Sequence, residues 1–144
     1  MGLIDAYARD PMGGGVPLAA DVRARLGADL RERAARRHAV VLLARRGGEA
    51  VGVAVCFVGY STFQARPLLN LHDLAVLPGA RGSGAGRALL DAVAARARAL
   101  GCCKVSLEVR EDNARARSVY AAAGFVDSAP AGARTRTLFL EKAL

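Results

Sequence analysis

Apolar residues fall along this chain in two periods, and the switches between them mark out its elements. Leu18, Val22, Leu26 and Leu30 recur every four residues among arginines and acids, which predicts an amphipathic helix over 18–33. A shorter helix is expected over 3–9, broken by Asp10-Pro11-Met12-Gly13-Gly14-Gly15, a loop suited to lie over a pocket or simply to join two helices. Residues 39–44 and 50–59 are almost continuously apolar, so both read as strands covered on two faces, with Gly47-Gly48 as their hairpin turn. After a loop over 61–67, a third strand is predicted over 68–77. A helix follows over 84–100, with Leu89, Val93, Ala97 and Leu100 on one side and Gly101 as its stop. Residues 104–110 alternate, Val105, Leu107 and Val109 against Ser106, Glu108 and Arg110, as a strand does. Asn113 is placed to cap a last helix ending near Ala123-Gly124, and 125–128 and 137–142 are candidate final strands. Helices, antiparallel strands and then a strand–helix–strand–helix unit predict a single α/β domain over 1–144, a mixed sheet with helices on both faces.

Composition narrows the partners. Hydrophobic residues make up 53% and charged residues 24% of 144, as in one ordinary folded domain. No apolar run approaches the ~20 residues of a membrane helix, and the start carries Asp5 and Asp10 rather than a basic leader, so the expected location is cytoplasmic, away from membranes. Three cysteines, two of them adjacent, fit neither a disulfide framework nor a metal site, and no metal is expected. The net charge of +8 comes from 21 basic residues, all arginine but Lys104 and Lys142. These arginines are scattered and only 5% of residues are aromatic, which argues against nucleic acid and for a small polyanion drawn by the same field.

The chemistry concentrates between Leu68 and Phe125. Arg81-Gly82-Ser83-Gly84-Ala85-Gly86-Arg87 joins a strand to a helix, and three glycines in five residues let an anion approach bare backbone N–H groups without meeting a Cβ. A dinucleotide fingerprint would want a third glycine where Arg87 stands and two strand–helix–strand halves where one is present; Glu108 alone fits its acid. A P-loop would need Gly-Lys-Ser/Thr, which does not follow.

Pro78, the R-x-x-G-x-G spacing of Arg81, Gly84 and Gly86, then Glu108-Val109-Arg110, Asn113, Tyr120 and Gly124-Phe125 together resemble the GNAT superfamily of N-acetyltransferases, from about Val40 to the C-terminus. The resemblance implies a mixed central sheet in which two parallel strands splay to hold acetyl-CoA. It implies the pantetheine arm on the backbone of Leu74 and Val76. The diphosphate would sit on the amides of Gly82, Ser83, Gly84, Ala85, Gly86 and Arg87, with charge from Arg81 or Arg87. Asn113 would contact the pantetheine arm, and Tyr120 would face the sulfur as general acid. The implied activity is direct transfer of an acetyl group to a primary amine of a small molecule or a protein; a non-catalytic acyl-CoA sensor is the alternative.

Two departures from the family pattern matter. Similar diamine acetyltransferases carry an acid where this chain has His72, followed by an aspartate matched by Asp73, so the base is unassigned, with Asp73, His72 and Glu108 as candidates. The strand that usually precedes the first helix has no counterpart in this sequence, either because it is absent or because the chain begins late; its absence would leave a sheet edge bare and favour a homodimer. Tyr7, Met12 and Phe63 are the candidate acceptor wall, on the segments that the family uses for its substrate.

Overall fold

A computed structural model describes residues 2–127 and Lys142. β1 (Ala39–Arg46) and β2 (Glu49–Ser61) form the predicted hairpin. Gly47 and Gly48 turn it with φ of 58° and 86°, the left-handed pair that matches the twist of the strands. β2 pairs antiparallel with β3 (Arg66–Val76), and β4 (Val105–Leu107) adds parallel to β3, giving the order β1-β2-β3-β4. The result is the mixed sheet of the expected α/β class. Residues 51–56 are all buried, as their unbroken apolar run required of a strand covered on both faces.

One cover is α3 (Ala85–Ala99), which carries the chain from β3 across to β4. Its Leu89, Leu90, Val93 and Ala97 close against Val40, Ala54, Cys56, Leu69 and Leu71. Burying a Leu or Val of this kind contributes about 1.5–3 kcal/mol over leaving it exposed, so this layer carries much of the fold's stability. α3 ends at Gly101, φ 70°, where the Cys102 N–H bonds to the Ala97 carbonyl and the Gly101 N–H to that of Arg98, a left-handed cap that leaves few carbonyls orphaned. The opposite face of the sheet is covered by α1 (Gly2–Ala8), which packs on β2 and β3, and by α2 (Ala20–Ala35), which packs on β1. Leu18, Val22, Leu26 and Leu30 are each half-buried, as their period demands.

The structure departs from the sequence reading in three places. The expected 61–67 loop is a tight turn over 62–65, because both strands run on past the sheet's body as a hairpin. Phe63 lies at its tip, 101% exposed. β4 is three residues long rather than seven: Glu108, Val109 and Arg110 alternate like a strand but have no ladder partner among the described residues. Phe125–Asp127 is not strand, and the strand expected over 137–142 lies outside the described residues, Lys142 apart. α1 is the first element described, and β1 is an edge of the described sheet.

Candidate active site

The site begins with a register slip. Val55 pairs with Asp73 while its neighbour Cys56 pairs with Leu71, so His72 is an extra residue bulged out of β3. A bulge bends its strand and sharpens its twist. Here it also shifts the alternation: Leu74 and Val76 pack on the same core as Leu69 and Leu71. The parallel ladder to β4 ends at Leu71↔Leu107, so β3 continues for five residues with its outer edge unpaired among the described residues. The Leu77 N–H bonds to the Val51 carbonyl at 2.9 Å, on the β2 side. Backbone groups alternate sides along a strand, so Leu74 and Val76 direct theirs away from β2, into the gap. One of them is already used, since the Arg81 Nε donates to the Val76 carbonyl at 3.1 Å.

Beyond β3 a 3-10 turn (Pro78–Ala80) leads to the glycine segment. The Ser83 hydroxyl donates to the Ala80 carbonyl at 2.6 Å and so fixes the approach to the helix. Gly84 is the N-cap of α3 in a left-handed conformation, φ 86°, and offers no side chain to cap with. The Ala88 N–H takes the Gly84 carbonyl as the first hydrogen bond of the helix, which leaves the amides of Ala85, Gly86 and Arg87 as bare donors at its positive end. Nothing lies within 4 Å of where a Cβ on Gly82 or Gly84 would project.

α4 (Ala114–Ala122) supplies another wall. Asn113 caps it, its Oδ1 accepting from the Ala116 N–H at 3.1 Å, which leaves the Nδ2 donors to spare. Asn113, Ala116 and Tyr120 follow at helical spacing and line the same cleft as Leu74, Val76 and Gly84. The cleft encloses about 520 Å³, and α1 and the loop after it close its remaining side with Tyr7 and Met12.

Weakly ionising groups lie in and near its wall. Burial, and then the neighbouring Tyr7, push the Tyr120 phenol up to about 12. Tyr7 is itself raised by burial and by the charges of Asp73 and Asp10. Asp73 is raised above the usual carboxylate range because it is buried, with His72 opposing the shift. Burial holds the Cys56 thiol near about 12, so it is inert. The Tyr120 phenol therefore stays protonated throughout the neutral range, and its ring packs against Phe125 at 5.8 Å between centres.

The structure thus gathers Leu74, Val76, Arg81, Gly82, Gly84, Gly86, Arg87, Asn113, Tyr120, Tyr7 and Met12 on one cleft. It does not bring Phe63 there, because the hairpin carries that ring out into solvent. Ser83 and Ala85 shape the helix start without lining the wall, and His72 and Asp73 do not line it either. His72 is exposed and sits edge-on to Phe57 at 5.4 Å, packed as a bulge residue. Neither expected arginine is free for a ligand: Arg81 bonds Asp10 at 2.7 Å, and Arg87 bonds Asp91 at 2.9 Å and the Ala122 carbonyl at 2.7 Å. Arg115, Val119, Arg9 and Asp10 also line the cleft and were not anticipated. Val119 and Arg115 could have been read from the helical spacing of α4; the Asp10–Arg81 contact joins residues 71 apart and carries no local signal.

Bare amides at a helix start, an open strand edge and a basic wall are what a phosphate-bearing thioester with an amide-rich arm requires, and the residues present fit acetyl-CoA. Residues 7–125 match the acetyltransferase (GNAT) family, and the chain belongs to it. It is 33% identical over 96 residues to the uncharacterised N-acetyltransferase YhfO of Bacillus subtilis (strain 168), covering 67% of this chain and 64% of that protein. It is 35% identical over 82 residues to thialysine N-epsilon-acetyltransferase of Bos taurus, covering 57% of this chain and 48% of that one. These matches span from about half to just under two thirds of the relatives' own length. In fold it is similar to a probable acetyltransferase of known crystal structure, with a TM-score of 0.77 at 22% identity over 99% of this chain and 90% of the other.

Proposed function

We propose that this chain is an acetyl-CoA-dependent N-acetyltransferase that acetylates a primary amine of a small molecule or a protein by direct attack, acting as one domain. The observation that carries this reading is the convergence of the open β3 edge, the uncapped amides of α3 and the Tyr120 hydroxyl on one cleft. The thioester supplies an activated acyl group whose leaving sulfur needs no strong acid. The amides of Ala85, Gly86 and Arg87 bind the diphosphate, and the exposed backbone of Leu74 and Val76 holds the pantetheine arm as an added strand. Asn113 Nδ2 adds a donor to that arm. The Val76 N–H is the donor for the charge that develops on the acyl oxygen. Tyr120 protonates the departing sulfur, a task its raised pKa allows at any neutral pH. Asp73, half-buried and near Tyr7, accepts the proton of the incoming ammonium through water; its raised pKa suits a base better than an ordinary surface carboxylate. His72 is the less suited base, being exposed and packed on Phe57.

A phenol on the cleft wall favours turnover over passive sensing of the coenzyme. In the same reading the chain works in the cytoplasm, supported by its free cysteines. The β1 edge, with Val41 37% and Leu43 47% exposed, serves as a homodimer contact; light scattering that shows a monomer across micromolar concentrations would count against it. The activity is tested with acetyl-CoA and a panel of amines, amino acids, aminoglycosides and peptides, following released thiol. Thiol release that depends on one acceptor class is expected; release with none of them, by protein that binds the thioester, would favour the sensor.

A further inference from the structure

One ion pair ties two walls of the cleft that lie far apart in the chain. Asp10 is in the loop between α1 and α2, Arg81 heads the glycine segment 71 residues on, and both line the cleft. The Arg81 Nη2 donates to Asp10 Oδ2 at 2.7 Å, while its Nε donates to the Val76 carbonyl at 3.1 Å. One planar guanidinium thus fastens the loop to the strand on which the pantetheine arm would lie. Its hydrogen bond holds the Asp10 carboxyl below the usual carboxylate range, so both charges are present at neutral pH.

The rest of the loop is built on the same aspartate and folds back on Tyr7. Asp10 Oδ1 accepts from the Met12 N–H at 2.9 Å, and the Asp10 carbonyl accepts from the N–H groups of Gly13 at 2.7 Å and Gly15 at 3.1 Å. The Asp10 N–H bonds in turn to the Tyr7 carbonyl at 2.9 Å. A Cβ on Gly13 would collide with that carbonyl and come within 3.1 Å of the Tyr7 ring, so the loop closes on Tyr7 only with glycine there. The loop therefore carries Met12 and clamps Tyr7, the two candidate acceptor contacts on the cleft wall.

We propose that the Asp10–Arg81 ion pair positions the acceptor: it fixes the loop over 10–15, and with it Tyr7 and Met12, against β3, so that the amine is held within reach of the bound thioester. This rests on the acetyl-CoA reading above. Asp10 and Arg81 are positioning residues in this assignment, acting through Tyr7 and Met12 rather than on the reacting atoms.

Asp10→Asn tests it, because the amide keeps an oxygen for the Met12 N–H and gives up the charge that Arg81 holds. The probe is the amine of the panel above that releases thiol fastest with the wild type. Asp10→Asn is expected to raise KM for that amine about threefold to tenfold while the acetyl-CoA Kd from calorimetry stays within twofold. The double variant Asp10→Asn/Arg81→Gln should raise the amine KM no further than Arg81→Gln alone, as for two groups acting through one contact. Arg81→Gln removes no bond within the loop, so faster hydrogen exchange at Met12, Gly13 and Gly15 in that variant reports the tie itself. An amine KM unchanged in Asp10→Asn, with or without a lower melting temperature, would overturn the assignment, as would effects that add in the double variant or an acetyl-CoA Kd that rises as much as the amine KM. If the wild type does not bind acetyl-CoA, or binds it and acetylates none of the panel, the underlying reading fails and the assignment falls with it. If transfer proceeds and Asp10→Asn behaves as wild type, that reading stands and the assignment alone is wrong.

Discussion

Tyr120→Phe isolates the proposed chemistry, because it removes one oxygen and leaves the ring against Phe125. Stability should change by less than about 0.5 kcal/mol, as for a substitution that opens no cavity. A hydrogen bond to a group that becomes charged is worth about 1.5–3 kcal/mol, which in a transition state is about 10- to 150-fold in rate. The thiolate leaves without a strong acid, so the loss in kcat should fall within that range, with KM for acetyl-CoA little changed. Initial rates at saturating amine, read as free thiol, measure it. The variant also carries a pH signature. Raised to about 12, Tyr120 stays protonated in the folded state above the pH at which an unfolded tyrosine ionises. Its contribution is therefore complete below about pH 10 and lost as pH rises toward 12, so the alkaline fall in stability should be shallower in Tyr120→Phe. A kcat within twofold of wild type, in folded protein, would refute the role given to this hydroxyl.

Asp73 gives the opposite balance of stability and activity. Burial raises its pKa, so the folded state holds that proton more tightly; its stabilising effect is present at acid pH and lost as pH rises through the raised value. Asp73→Asn should thus raise the melting temperature at pH 7 while lowering kcat/KM, and the stability gain should vanish below pH 4. Gly84→Ala meets no neighbour, so its cost of about 1 kcal/mol is the strain of a left-handed backbone, visible in denaturant titration, and calorimetry should show weaker acetyl-CoA binding as well. Leu69→Ala, at a fully buried position, should cost about 3 kcal/mol in the same titration, with coenzyme affinity retained in the folded fraction.

Much of this architecture was legible because it depends on local pattern. The unbroken run at 51–56 announced a strand covered twice, Gly47-Gly48 its turn, Gly101 the end of α3, and the spacing of Asn113 and Tyr120 a shared helix face. What the pattern hid depends on partners. The bulge at His72 exists only against Val55 and Cys56, and it is what opens β3 from β4 and stops β4 at Leu107. Val109 alternates correctly but has no described strand to pair with. Phe63 resembled a wall residue by segment, yet the length of the hairpin puts it in solvent. Arg81 and Arg87 resembled phosphate ligands by position; their partners, Asp10 and the Val76 carbonyl for one, Asp91 and the Ala122 carbonyl for the other, are read only in three dimensions.

The whole account turns on the head of α3 holding a diphosphate by its main chain. A crystal structure with coenzyme A tests that most directly. It should place diphosphate oxygens within about 3 Å of the backbone nitrogens of Ala85, Gly86 or Arg87, and the arm along Leu74 and Val76. Coenzyme bound elsewhere, with those amides facing only solvent, would contradict it.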